Sequence, residues 1–310
     1  MPDIIISEFM DEAAVARLCE SHDTLYDPGL VDRPSELAAA LGAARALIVR
    51  NRTQVRGALL EGAAKLECVG RLGVGLDNID LEACKARDIA VYPATGANDL
   101  AVAEYVIATA MMLLRQAYDA SAAVAAGEWP RQALIGRETS GKTMGLVGFG
   151  AIAREVARRA RAFGMSVIAY DPFLPAEHVA WKLARNLPLH ALLVGADVVS
   201  VHTPLTPATR HMIDAGAIGC MKEEAVLINA ARGGVVDEVA LCAALREGRL
   251  AGAALDVFEE EPLGAARGEM FLGLKNLVLT PHIAGVTAES NVRVSHTTAE
   301  TVLQHLKAKA

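Results

Sequence analysis

The sequence predicts an α/β protein built from two doubly wound parallel sheets. Three observations predict this. Short apolar runs alternate along the chain with amphipathic segments at helical spacing, which is the pattern of βα units. The composition is 53% hydrophobic but only 4% aromatic, which suits strands covered on both faces by Ala-rich helices. The chain has 310 residues, room for two medium domains, and a long apolar helical pattern beginning at Asn98 separates an early group of βα units from a later one.

Taken in order, Ile4-Ile5-Ile6 reads as a first strand and 11–20 as a helix, followed by a turn at Asp27-Pro28-Gly29. A helix over 35–41 is closed by Gly42, and Ala46-Leu47-Ile48-Val49 is a strand that runs into Arg50-Asn51-Arg52-Thr53. A short helix over 55–62, a strand over 66–71, a helix over 80–87 and a strand over 89–92 complete the first group. The pattern over 98–118 places Ala103, Val106, Ile107, Ala110, Met111 and Leu114 on one apolar helix, long enough to bridge domains or to bury a face in a second subunit. The Ala-rich tract up to Gly127, with Glu128-Trp129-Pro130, reads as an extended arm. Beyond the unit that begins at Gly141, a poorly patterned helical segment is expected from 172 to 194. Strands follow over 197–201, 225–229, 251–255 and 277–279, with helices over 238–247 and 287–306.

The stretch from Lys142 to Asp171 carries the most specific local signal. A buried strand runs into Gly148-Phe149-Gly150-Ala151-Ile152-Ala153, then a helix, then Val167-Ile168-Ala169-Tyr170 and an acid. This is the layout of a dinucleotide-binding βαβ unit, with Gly148 for the tight turn, Gly150 for close approach of the backbone to a pyrophosphate, and Ala153 as the small third residue. Ala151 and Ile152 open a helix whose first N–H groups and positive dipole end favour phosphate. Asp171 can accept both ribose hydroxyls but repels a 2′-phosphate, so the cofactor expected is NAD.

Three polar residues, Arg232, Asp256 and His282, each stand just after an apolar strand. In open α/β sheets the ligand crevice lies at that edge. His202-Thr203-Pro204 and Ala230 follow two further strands and are assigned to the cofactor pocket, with a structural role as the alternative for His202. Hydride exchange with a 2-oxo acid needs a bidentate cation, an acid for the developing alkoxide, and a carboxylate beside that acid; Arg232, His282 and the run Glu259-Glu260-Glu261 offer them.

With these residues in view, the chain resembles the D-isomer-specific 2-hydroxyacid dehydrogenases over nearly its whole length. The resemblance rests on Gly73-Val74-Gly75-Leu76-Asp77-Asn78-Ile79-Asp80, Gly145 to Ala153, Asn229 to Glu238, Asp256 to Pro262, and Pro281-His282-Ile283-Ala284-Gly285. It implies that Arg232, Glu261 and His282 are catalytic, that Val74 and Gly75 bind the substrate carboxylate through their backbone, and that Asp256 holds the nicotinamide carboxamide. Ala153 departs from the family's usual third glycine. The fold implied is a Rossmann NAD-binding domain over 99–282 inserted in a flavodoxin-like substrate domain formed by 1–98 and 283–310. The family also includes NAD(H)-sensing corepressors that keep the three residues, so a non-enzymatic binding protein is the rival class.

The substrate question turns on Arg50, Arg52 and Arg71, cations expected to face the interdomain cleft and suited to a substrate with a second anion. Arg50-Asn51-Arg52-Thr53 resembles a segment of 3-phosphoglycerate dehydrogenases, while the wider stretch 49–55 is similar to (S)-sulfolactate dehydrogenases. Both dianionic substrates stay open, as does glyoxylate or hydroxypyruvate. The net charge of −7 argues against a nucleic-acid partner. The five scattered cysteines suggest free thiols and no metal site. The absence of a signal peptide or a membrane-spanning run leads to the expectation of a cytoplasmic protein, and the family leads to that of a homodimer.

Overall fold

The computed structural model describes residues 2–309. The chain divides into two compact units, Met1–Asn98 with Val286–Ala310, and Asp99–Gly285.

The first unit begins β1 (Ile4–Ile6), α1 (Glu12–Cys19), β2 (Thr24–Tyr26), α2 (Pro34–Leu41), β3 (Ala46–Val49), α3 (Gly57–Gly62), β4 (Cys68–Arg71), α4 (Leu81–Ala86) and β5 (Ala90–Pro93). The strands are parallel, in the order β2-β1-β3-β4-β5. Every side chain of β1 and β3 is fully buried, which is why both read as continuous apolar runs. β2 escaped the sequence reading. It is a three-residue edge strand, half-buried, and Thr24-Leu25-Tyr26 carries too little apolar signal to stand out.

The second unit runs α5 (Asp99–Arg115), α6 (Ser121–Ala125), β6 (Thr143–Val147), α7 (Ala151–Ala162), β7 (Ser166–Tyr170), β8 (Arg185–Asn186), α8 (Leu189–Gly195), β9 (Val198–Val201), α9 (Ala215–Gly219), β10 (Val226–Asn229), α10 (Glu238–Arg246), β11 (Gly252–Leu255), α11 (Ala265–Gly268) and β12 (Leu277–Leu279). Its sheet, again parallel, has the order β12-β11-β10-β9-β6-β7-β8. α5 packs chiefly on α7 and β10, burying Ala103, Val106, Ala110 and Leu114. It ends earlier than expected, at Arg115, because Gln116 takes a left-handed conformation at φ 55°. Beyond it the arm includes a 3₁₀ turn at Tyr118–Ala120 and the single-turn α6, and it exposes Trp129 and Ile135.

The expected helix from 172 to 194 is not there. Pro172, Pro175 and Pro188 break it into turns, a 3₁₀ turn at Val179–Lys182, the two-residue β8, and α8, which starts directly after Pro188. The chain then returns to the first unit as α12 (Ala288–Ala308). Thr287 caps it reciprocally: Ser290 N–H donates to its hydroxyl at 3.1 Å while its own N–H donates to Ser290 Oγ at 2.8 Å. α12 packs on β4, β5, β3 and α1. Among the described residues no helix is long and apolar enough to cross a membrane.

Candidate active site

The register of the second unit's sheet aligns the strand ends. Val147, Val201, Asn229, Leu255 and Leu279 lie in one row across β6, β9, β10, β11 and β12. The next residue of each strand is therefore also in line: Gly148, His202, Ala230, Asp256 and Thr280. With strands about 4.8 Å apart, Asp256 lies three spacings, roughly 14 Å, from Gly148.

At one end of this row is the glycine turn. Gly148 has φ 89°, and a Cβ there would lie 2.6 Å from the His202 carbonyl oxygen, so no other residue fits the turn unstrained. Its N–H donates to Tyr170 O at 2.8 Å. Gly150 precedes α7, and the N–H groups of Gly150, Ala151 and Ile152 make no hydrogen bond among the described residues, leaving a helix N-terminus ready for an anion. Ala153 is fully buried, where a larger residue would push α7 off the sheet. Asp171 Oδ2 accepts from Phe149 N at 2.9 Å, and Oδ1 accepts from Phe173 and Leu174 N–H at 2.9 and 3.2 Å. The acid thus braces the glycine turn and its own turn before any ribose is considered. His202 follows β9, its Nε2 3.0 Å from Ser200 Oγ, and burial pushes its pKa down to about 4, so the ring is neutral at neutral pH. Thr203 meets Met212 Sδ at 3.7 Å, and the exposed Pro204 accepts the Thr209 hydroxyl at 2.6 Å through its carbonyl.

Further along the row, His282 Nδ1 lies 2.7 Å from Glu261 Oε2, and Phe258 N–H donates to Glu261 Oε1 at 2.9 Å. Burial alone would push the Glu261 carboxyl up. The hydrogen bonds from His282 and Phe258, and the charges of His282 and Arg232, outweigh it and hold Glu261 below the usual carboxylate range. Of the three glutamates in the run, geometry gives His282 to Glu261 alone; Glu259 instead meets His211 at 3.1 Å and Arg267 at 2.9 Å. The Arg232 turn is tied by its neighbours: Asn229 Nδ2 donates to Arg232 O at 2.9 Å, and Arg232 Nη1 donates to Ala231 O at 2.6 Å.

Asp256 is tied into the local backbone. It is 1% exposed, and its carboxylate accepts the Thr280 hydroxyl at 2.6 Å and Ile283 N–H at 2.8 Å on Oδ1, and Ala284 N–H at 2.8 Å on Oδ2. Its backbone carbonyl also accepts His282 N–H at 2.8 Å. His282 sits at φ 53°, a left-handed conformation that costs a non-glycine residue about 1–3 kcal/mol. Asp256 therefore holds the strained turn that carries His282.

In the first unit, Gly73 has φ 143°, and a Cβ there would lie 1.6 Å from Arg71 Nη1, so glycine is what lets the guanidinium fold back over the turn. Arg71 Nη1 donates to Leu72 O at 3.0 Å. The backbone N–H groups of Val74 and Gly75 make no hydrogen bond among the described residues, as a carboxylate-binding turn requires. Arg50 Nη2 donates to Asn291 Oδ1 at 2.6 Å and its guanidinium lies 5.9 Å from the centre of the Phe9 ring. Burial pushes its pKa down and the Glu8 carboxyl opposes that shift. Arg52 differs: its guanidinium pairs with Asp32 in a well-exposed salt bridge.

The profile described as "D-isomer specific 2-hydroxyacid dehydrogenase, NAD binding domain" matches residues 107–284. The chain belongs to this family. It is 55% identical to the (S)-sulfolactate dehydrogenase of Chromohalobacter salexigens, covering 100% of both chains. It is 39% identical to the D-3-phosphoglycerate dehydrogenase of Methanocaldococcus jannaschii, covering 99% of this chain but 58% of the other, so it spans little more than half the length of that relative. The D-lactate dehydrogenase of Aquifex aeolicus, solved with NAD and lactic acid, matches with a TM-score of 0.86 at 28% identity, covering 98% of this chain and 95% of that one.

The protein is thus an NAD-dependent 2-hydroxyacid dehydrogenase. The residues present fit the cofactor: the open N–H groups at Gly150, Ala151 and Ile152 suit a pyrophosphate, and Asp171 suits a ribose without a 2′-phosphate. Three residues that brace these segments had no role assigned from the sequence. Arg154, in the first turn of α7, donates through Nε to Phe149 O at 3.0 Å and brings a cation to the glycine turn. Its signal was available as an Arg four residues past Gly150. Glu8 and Asn78, both buried, organise the segment that carries Arg50. Glu8 follows a strand, as Arg232 does, and could have been found by the same rule.

Proposed function

We propose that this dehydrogenase interconverts 3-sulfolactate and 3-sulfopyruvate. The observation that carries the reading is Arg50, a half-buried cation held by the Asn291 amide and lying over Phe9, with no ion pair among the described residues. Arg71 is the second cation of the same unit. The Val74–Gly75 N–H groups would take the substrate carboxylate, and Arg50 its distal anion. Identity of 55% over the full length to a sulfolactate dehydrogenase, against 39% to phosphoglycerate dehydrogenases of greater length, favours sulfonate over phosphate.

In the reductive direction, the chemistry that bound NADH would supply is hydride for C2. Gly148, Gly150, Ala151, Ile152, Asp171, His202, Thr203, Pro204 and Ala230 would bind the cofactor. Arg232 donates two N–H groups to the substrate and polarises its carbonyl. His282 gives its proton to the oxygen as charge develops there. Glu261 orients the imidazole through Nδ1 and stabilises it while it carries the proton, leaving Nε2 for the substrate. Oxidation runs the same proton path in reverse. A homodimer formed through α5 and the exposed arm, in the cytoplasm, completes the reading.

An NADH-oxidation panel of sulfopyruvate, phosphohydroxypyruvate, hydroxypyruvate, glyoxylate and pyruvate tests it. Sulfopyruvate should give the highest kcat/KM, and Arg50→Ala should raise KM for it far more than for glyoxylate. Equal effects on both would sink the second-anion assignment.

A further inference from the structure

The first unit's sheet order reverses between β1 and β3. In such sheets the ligand crevice opens at that reversal, outside the carboxyl ends of the strands. The segments leaving those two strands are Ser7-Glu8-Phe9 and Arg50-Asn51-Arg52-Thr53. Four successive backbone N–H groups of the second converge on the Glu8 carboxylate. Arg50 and Thr53 donate to Oε1 at 2.8 and 3.0 Å, and Asn51 and Arg52 donate to Oε2 at 3.3 and 3.1 Å. Glu8 is 4% exposed. Successive N–H groups arranged in this way make an anion-binding concavity, and here the chain fills it with an anion of its own.

The other half of the segment's backbone is held as well. Asn78 Nδ2 donates to Thr53 O at 2.7 Å and to Arg50 O at 3.4 Å, and the Thr53 hydroxyl meets Ser7 Oγ at 2.9 Å. Asn78 belongs to the turn that follows Gly75, so the segment bearing Arg50 and the turn bearing Val74 and Gly75 are braced together. Phe9, next to Glu8, supplies the ring beneath the Arg50 guanidinium. One buried acid thus sets the backbone of Arg50 and the aromatic face its side chain rests against.

We propose that Glu8 is a positioning residue for substrate selection: it is an internal anion that fixes the Arg50 segment so that the guanidinium meets the distal anion of a dianionic 2-oxo acid. Glu8 itself touches no substrate atom. The proposal rests on the assignment of Arg50 made above. Its chemistry makes a sharp demand on the side chain. Each carboxylate oxygen accepts two N–H donors, so a glutamine in either orientation turns its NH₂ toward two of them.

The test uses the full chain and steady-state NADH oxidation with sulfopyruvate and with glyoxylate. Glu8→Gln and Glu8→Ala should each raise KM for sulfopyruvate about tenfold, and leave kcat and the glyoxylate KM within about twofold. Sodium formate, small enough to enter the emptied concavity, should restore sulfopyruvate KM in Glu8→Ala but not in Glu8→Gln, whose side chain still occupies it. Glu8→Gln preserves the volume of the parent and carries the test if the alanine variant does not fold. Parallel changes for both substrates, unchanged KM in the variants, or indifference of Glu8→Ala to formate would each overturn the proposal. Arg50→Ala separates the two ideas. If it discriminates between the substrates and the Glu8 variants do not, the role of Glu8 falls alone; if it affects both substrates equally, the assignment of Arg50 falls and takes the Glu8 role with it.

Discussion

Replacing Asp256 with Asn separates two tasks for a strand-end acid, holding a cofactor or holding the His282 turn. Asn keeps one acceptor oxygen and puts an NH₂ in place of the other. With the NH₂ at Oδ2, the Ala284 N–H loses its acceptor and faces a donor. With the NH₂ at Oδ1, Ile283 N–H is stranded instead. At 1% exposure water cannot substitute, and losing a buried hydrogen bond to a carboxylate costs about 1.5–3 kcal/mol. That is comparable with the strain of about 1–3 kcal/mol in the left-handed His282, which the same bonds offset. The turn should therefore relax. kcat should fall roughly tenfold to a hundredfold, as that loss appears in the barrier, and Tm should drop by about 3–12 °C for a unit of this size. NADH affinity, read by fluorescence titration, should change little. Steady-state kinetics and thermal melts check the rest. A variant that binds NADH much more weakly while keeping kcat and Tm would refute the reasoning and return Asp256 to the cofactor.

Other outcomes follow from the same geometry. Arg232→Lys keeps the charge but loses the planar fork, so kcat/KM should fall by about a hundredfold with the NADH dissociation constant unchanged. Glu261, whose pKa is held below its ordinary 4.5, contributes stability that is present above the ordinary carboxylate range and lost as pH falls through the lowered value. Glu261→Gln should therefore lower the urea midpoint at neutral pH, and the gap from the parent should close in acid. His202, at about 4 in the folded chain against 6.5 otherwise, makes the unfolded chain take up a proton that the native state refuses. Stability should fall as pH drops from about 6.5 to about 4, and His202→Gln should flatten that slope in urea titrations across the range.

The strands buried on both faces could be read from the sequence, as could the apolar edge strands Ala90–Pro93 and Leu277–Leu279. Ala46–Val49 and Val198–Val201 are apolar at nearly every position because helices cover both sides, so their pattern is their burial. The edge strands Thr24–Tyr26 and Arg185–Asn186 have no such cover, and nothing in their composition separates them from a turn. Arg232, Glu261 and His282 could be singled out in the sequence because they follow apolar strands and their neighbours form extended motifs. The Glu261–His282 contact is a 2.7 Å consequence of two loops leaving β11 and β12, and only its participants could be named beforehand. Arg52 shows the opposite limit. It shares a segment with Arg50 and looks equivalent in sequence, yet Asp32, 20 residues earlier, engages it. A partner delivered by tertiary structure thus distinguishes two residues that look alike in sequence.

The two buried acids, Glu8 and Asp256, point to one architectural rule working in both units. Each follows a parallel strand and accepts backbone N–H groups from a turn that bears a proposed site residue, Arg50 in one case and His282 in the other. Parallel strands make this economical, because their carboxyl ends finish in one row and the segment after one strand lies beside the segment after the next. The glycine turn after β6 stands at the reversal of the second unit's order and keeps its N–H groups open at Gly150, Ala151 and Ile152. The reversal of the first unit has comparable donors, but Glu8 fills them. One reversal is thereby left with open N–H groups, while at the other the chain supplies its own anion. A side chain can be exchanged without rebuilding the turn beneath it. A change at Arg50 on an intact Glu8 platform should therefore alter which distal group is accepted while leaving hydride transfer to the other unit undisturbed.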